Sequence, residues 1–94
     1  MKLQQRQIKK IKAILKKHDV KRAHLFGSFA RGDADRKSDV DILFEFKGRK
    51  SLFDQVGLKI ALQGRLRKKF DVVTYNSLHS RLKSVVNNDL VELL

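Results

Sequence analysis

The sequence predicts a small α+β fold, an α/β sandwich in which a mixed sheet of three or more strands carries packed helices. Three observations predict it. Apolar residues return at helical spacing near the start; three short runs rich in Phe, Leu, Ile and Val end at glycine or polar turns; and a second helical pattern stands between the last two runs.

Taken in order, Leu3, Ile8, Ile11, Ile14 and Leu15 recur at helical spacing with lysines on the opposite side, so residues 2 to about 18 read as an amphipathic helix. Ala23-His24-Leu25-Phe26, closed by Gly27, suits a buried strand that ends in a turn. Ser28 offers an N-cap for a short helix through Arg31, which Gly32 ends. Gly32 to Ser38 is small and polar, a loop. From 39 to 46 the chain alternates: Val40, Ile42, Phe44 and Phe46 point one way, and Asp39, Asp41, Leu43 and Glu45 the other. Ser51 and Asp54 form a capping-box pattern, and Phe53, Val56 and Ile60 carry a helix to about Gln63, with Gly64 as its stop. Phe70 to Tyr75 reads as a third strand. Ser77 is placed to cap a last helix bearing Leu78, Leu82, Val85, Val86 and Leu93. No internal repeat, linker or low-complexity segment interrupts this order.

The chain has 94 residues, 22 Lys and Arg against 10 Asp and Glu, and a net charge of +12. A chain this short buries only about 60 to 65% of the surface its unfolded form exposes, so residues 1–94 are expected to form one domain. Cysteine is absent, which excludes disulfides and thiolate metal sites. No apolar run approaches the roughly 20 residues of a membrane span, and the start lacks the pattern of a signal peptide. The first helix has no aromatic residue to anchor it on a bilayer, so a membrane partner is not expected and the location expected is cytoplasmic. Proline is also absent and apolar positions recur throughout, which argues against disorder.

The charge is unevenly placed. Residues 1–22 hold nine Lys and Arg against one acid, Asp19, a block that reads as a solvated face. Five of the acids, Asp33, Asp35, Asp39, Asp41 and Glu45, gather in the middle of the chain. Asp39 and Asp41, two apart on a strand, share one side with Cα atoms roughly 6.5 to 7 Å apart. When both are ionised they repel by roughly 2 to 3 kcal/mol at an effective dielectric of about 20. A cation between them offsets that cost; alternatively they line a solvated strand face. Oxygen ligands without His or Cys favour Mg²⁺ or Mn²⁺, and Mg²⁺ commonly shares its shell with substrate phosphates. Just upstream, Gly27-Ser28 lies where a strand turns into a helix, a place for an anion, with Arg31 one turn on. The stretch fits neither the P-loop nor the dinucleotide pattern. A third acid, Asp71, opens the last strand between Phe70 and Val72. Three carboxylates facing a phosphate-binding turn suit a two-metal site for phosphoryl or nucleotidyl transfer. His18, His24 and His79 lie on unlike elements without metal spacing and read as structural or solvent-facing.

Gly27-Ser28, ten intervening residues and Asp39-Val40-Asp41, followed by Asp71, resemble the signature of the DNA polymerase β-type nucleotidyltransferase superfamily. The longer string from Gly27 to Gly32, with Ser38 to Leu43 and Ser51 to Asp54, resembles the minimal nucleotidyltransferases, the MntA-like antitoxins. That resemblance implies the nucleotidyltransferase fold, with Asp39 and Asp41 binding two Mg²⁺ ions and Asp71 binding the catalytic one and helping to deprotonate the attacking hydroxyl. Gly27 and Ser28 would hold the triphosphate, and Arg31 matches the family's arginine. Phe29 stands where the family often has a polar or basic residue.

The resemblance further implies an antitoxin that transfers AMP from ATP to a hydroxyl, a tyrosine, of a HEPN-domain toxin, with the two chains in a hetero-oligomer. The alternative is a non-catalytic basic module that neutralises a partner protein or grips RNA. Specific nucleic-acid recognition is the weaker expectation, because the few aromatics do not form a stacking platform beside the basic runs.

Overall fold

The computed structural model describes residues 2–79 and 90–94, and among these four strands form one sheet. The chain runs α1 (Gln5–Lys17), β1 (Val20–Phe26), α2 (Ser28–Arg31), β2 (Val40–Phe46), α3 (Leu52–Leu66), β3 (Phe70–Thr74), α4 (Tyr75–His79) and β4 (Val91–Glu92). The sheet order is β3-β2-β1-β4. β1 runs antiparallel to β2 and β4, while β2 and β3 are parallel and joined through α3. The expected mixed sheet with packed helices is therefore present.

Side chains alternate across the sheet, and each face has its own cluster. Ala23, Leu25, Val40, Ile42, Phe44, Phe70 and Val72 point to one face, where Ile11 and Leu15 of α1 and Leu58 and Leu62 of α3 cover them. Each large side chain fully buried there contributes about 1.5–3 kcal/mol. The other face carries a smaller cluster of Phe26, Leu43 and Val73, with Tyr75 and Leu90 packed against it. That second cluster corrects the expected acidic face of β2: Leu43 is buried, so only its two ends are acidic.

Further expectations are revised. β1 begins at Val20 rather than Ala23, because Val20 and Arg22 pair with Phe46 and Glu45 around a bulge. α3 buries Leu58 and Leu62 and turns Phe53 (88% exposed), Val56 and Ile60 (63%) to solvent. Both of its faces are apolar, so periodicity alone did not select the inner one. α3 also passes through Gly64 and ends at Leu66, with Arg67 as a left-handed cap (φ 55°). The Ser51–Asp54 capping box is present, with the Ser51 N–H donating to Asp54 Oδ2 at 2.7 Å.

At the far end of the chain, α4 starts at Tyr75, and Thr74 Oγ1 rather than Ser77 takes the capping role, accepting from the Ser77 N–H at 3.2 Å. Leu93 belongs to no helix. It follows β4, its side chain is buried, and its N–H donates to Ala23 O at 2.9 Å. The helical positions expected at Leu82, Val85 and Val86 lie outside the described residues.

Candidate active site

The antiparallel pairing of β1 with β2 and the parallel pairing of β2 with β3 bring the end of one strand and the starts of two others to the same edge of the sheet. Phe26 stands opposite Asp41, and Asp41 stands opposite Asp71. By alternation, Asp41 and Asp71 lie on the face of Leu43 and Val73, at the rim of the smaller apolar cluster. Asp39 immediately precedes β2 and is exposed, as is Asp71, while Asp41 is half-buried.

This setting has an electrostatic consequence. Burial raises the pKa of Asp41 to about 6, the carboxylates of Asp71 and then Asp39 push it the same way, and Arg31 pulls against them. Asp71, Asp39 and Arg31 thus all act on Asp41.

Gly27 closes β1 with φ +75° and ψ −153°, and a Cβ built there would fall on Asp41 Oδ2. Only glycine fits between the turn and that carboxylate. The expectation that Ser28 caps α2 is corrected: Gly27 takes the cap position and Ser28 is the first helical residue. The N–H groups of Ala30 and Arg31 both donate to Gly27 O at 3.1 Å. The opening N–H groups of such a turn have no acceptors within it, which suits an anion. Gly32 ends the turn in the left-handed region, as expected. Arg31 Nε donates to Asp33 Oδ2 at 3.1 Å, a partner that motif reading did not identify.

A family model described as Polymerase beta, Nucleotidyltransferase matches residues 9–93. The chain belongs to this nucleotidyltransferase family. A Methanocaldococcus jannaschii protein named as a protein adenylyltransferase is 51% identical over 86 residues, 92% of each chain. The protein adenylyltransferase MntA of Thermococcus cleftensis is 34% identical over 80 residues, 85% of this chain and 81% of that one. Among solved structures, a toxin–antitoxin with AMP-PNP contains a chain that superposes with a TM-score of 0.79 at 25% identity, covering 93% of this chain and 72% of that one. This protein is accordingly a nucleotidyltransferase with the nucleotidyltransferase fold.

Nucleotidyltransferases generally use divalent metals, and the donor set here fits one. It offers only carboxylate oxygens, and their mutual repulsion at Asp41 is the kind that a cation relieves. Among the described residues no three His, Cys, Asp or Glu groups converge on one point.

The remaining candidates separate cleanly. Phe29 is buried in the larger core with Lys68 Nζ 5.5 Å from its ring, so it supports the α2 turn from behind and does not face a ligand. His24 Nδ1 lies 2.8 Å from the Tyr75 hydroxyl, a structural tie between β1 and α4, and His18 caps the end of α1. The side chain of His79 lies outside the described residues.

Arg36 and Lys37, just upstream of Asp39, share a cleft of about 470 Å³ with Arg67, Lys68, Lys69 and Asp39. The contribution of Arg67 to Lys69 was not legible in the sequence, because the loops 36–39 and 67–69 meet only through the parallel pairing of β2 and β3. Among the described residues, no helix is long and apolar enough to cross a membrane.

Proposed function

We propose that this chain transfers AMP from ATP, with Mg²⁺, to a hydroxyl of a partner protein, a tyrosine of a HEPN-type toxin, and so acts as its antitoxin in the cytoplasm. The observation that carries this reading is the in-register pair Asp41 and Asp71 beside a turn where only Gly27 fits. The names of the adenylyltransferase relatives support the choice of AMP and of a protein acceptor, and the toxin–antitoxin with AMP-PNP supports a nucleotide donor and a toxin partner.

In this reading Gly27, without a side chain, lets the triphosphate approach the turn. Ser28 and the first N–H groups of α2 hold its oxygens, and Arg31 adds a guanidinium. Asp39, Asp41 and Asp71 would hold two Mg²⁺ ions (Mn²⁺ as a substitute), which supply charge stabilisation to the attacking and leaving oxygens. Asp71 helps take the proton of the acceptor hydroxyl. The hydroxyl oxygen forms a bond to the α-phosphorus, the bond from that phosphorus to the bridging oxygen breaks, and pyrophosphate leaves. Residues 1–94 would act as one catalytic domain, with the acceptor held by the other chain of a hetero-oligomer.

Incubation with ATP labelled at the α-phosphate and the partner toxin tests this. Label is expected on the partner, none when the label is at the γ-phosphate, and none with Asp39→Asn. Label transfer that survives Asp39→Asn would contradict the assignment. The basic surface supports a second reading, a non-catalytic module that neutralises its partner by binding. In that case Asp39→Asn and Asp71→Asn would neutralise the partner as well as the parent chain does.

A further inference from the structure

We propose that the cleft between the loops 36–39 and 67–69 is an acceptor-docking site for an acidic polypeptide segment, one that presents its hydroxyl flanked by carboxylates. This rests on the reading that the acceptor is a protein.

The first argument is position. Gly27 and Ser28 stand at the end of β1, and β2 separates β1 from β3. The cleft opens at the start of β2 and β3, with Asp39 on its wall, so it borders the carboxylates on the strands beyond β1. In an in-line displacement the attacking and leaving oxygens occupy opposite sides of the phosphorus. With the leaving pyrophosphate at Gly27-Ser28, the attacking hydroxyl arrives from the β3 side, where the cleft lies.

The second argument is charge. Among the described residues, Arg36, Lys37, Arg67, Lys68 and Lys69 line the cleft against the carboxylate of Asp39. Two guanidiniums match carboxylates in a paired geometry, and charge complementarity of this kind sets partner choice and register. Among the described residues no aromatic lines the cleft, so a nucleic acid would find phosphate contacts there without a surface on which to stack its bases.

The third argument is that both walls are held in place. On one side the Lys37 N–H donates to Asp35 Oδ1 at 2.8 Å, and the Asp35 N–H donates to Ser38 Oγ at 2.9 Å. On the other, the Phe70 N–H donates to Gln63 Oε1 at 3.1 Å and the Arg67 N–H to Gln63 O at 2.8 Å. The Val40 N–H donates to Lys69 O at 2.9 Å and ties the two walls together. Arg67 adopts the left-handed conformation where glycine is the usual helix-ending residue, so a cation stands at a position that backbone energetics would give to glycine.

The test is binding of fluorescent peptides to the whole chain, without ATP or metal. The probes are a tyrosine flanked by glutamates and the same peptide with glutamines. The acidic peptide is expected to bind more tightly, and Arg67→Gly with Lys69→Gln to weaken it by about tenfold. Arg67→Gly installs the residue best suited to its backbone, so this variant keeps its fold. A double variant of equal charge change on α1, Lys9→Gln with Lys16→Gln, is expected to weaken binding by less than about twofold.

Equal binding of the two peptides, or equal weakening by the two double variants, overturns the proposal in favour of a general cationic field. An oligoadenylate that binds more tightly than the acidic peptide, and loses that binding in the cleft variant, overturns it in favour of nucleic acid. Because no transfer is measured, peptide binding that persists while label transfer to the partner fails would count against the catalytic reading alone.

Discussion

Asp41 stands directly opposite Asp71 on the parallel pair β2 and β3, and the apolar cluster of Phe26, Leu43 and Val73 lies beneath them. Neighbouring strands are about 4.8 Å apart, so the fold holds two like charges side by side at an edge where water is partly excluded. The raised pKa of Asp41, about 6 against an ordinary 3.8, expresses that arrangement.

Because the folded chain favours protonated Asp41, the contribution of this group to stability is fullest below pH 3.8 and is lost as pH rises through about 6. Asp19 and Asp54 have lowered pKa values, so their contributions disappear only at more acidic pH and do not confuse this window. Without metal, the chain is expected to lose about 1 kcal/mol between about pH 4 and pH 7, a figure reduced for the solvent that reaches this half-exposed group. Asp41→Asn should remove the slope and raise the melting temperature at pH 7 by about 4–8 °C, measured by thermal unfolding. A wild-type slope that Asp41→Asn leaves unchanged would place the titration elsewhere.

The same proton competes with a cation. Mg²⁺ affinity is expected to be about tenfold weaker at pH 5 than well above pH 6, since most Asp41 is protonated at the lower value. Titration calorimetry at the two pH values reads this directly, and pH-independent affinity would show that Asp41 is not a ligand.

Gly27→Ala joins two penalties, a backbone conformation that side chains rarely adopt and a Cβ placed on Asp41 Oδ2. The expected destabilisation is about 1–3 kcal/mol. Label transfer should fall by about a hundredfold even at temperatures where the variant is folded, because the carboxylate must move aside. A variant with parental rate would remove the turn from the site.

α3 offers a test of packing. Leu62→Ala, at a fully buried position, should cost about 2–5 kcal/mol, whereas Ile60→Gln, on the solvent side, should change stability by less than about 0.5 kcal/mol. Denaturant unfolding of both variants distinguishes this orientation from one in which Ile60 is inward.

These pairs show what local sequence carries. The alternation Val40, Ile42, Phe44 and the Ser51–Asp54 cap are local patterns, and the structure holds them as read. The inner face of α3 was not legible because Phe53, Val56 and Ile60 are as apolar as the buried Leu58 and Leu62. Only packing against α1 and β3 chooses between them. β4 is too short to have a pattern of its own and exists through its pairing with His24 and Leu25. At the candidate site, the spacing of Gly27, Arg31, Asp39, Asp41 and Asp71 is what the sequence offers. The Arg31–Asp33 pair and the share of Arg67 to Lys69 in the cleft were not legible, because they arise from side-chain reach and strand pairing.

The central claim is that the carboxylates at this sheet edge perform nucleotidyl transfer. Its most direct measurement is the initial rate of α-label transfer from ATP to the partner, for the parent chain and Asp71→Asn at saturating Mg²⁺. The account predicts Mg²⁺-dependent transfer by the parent and a loss of at least about a thousandfold in the variant. Equal rates, or transfer by the parent that persists when the metal is chelated, would contradict it.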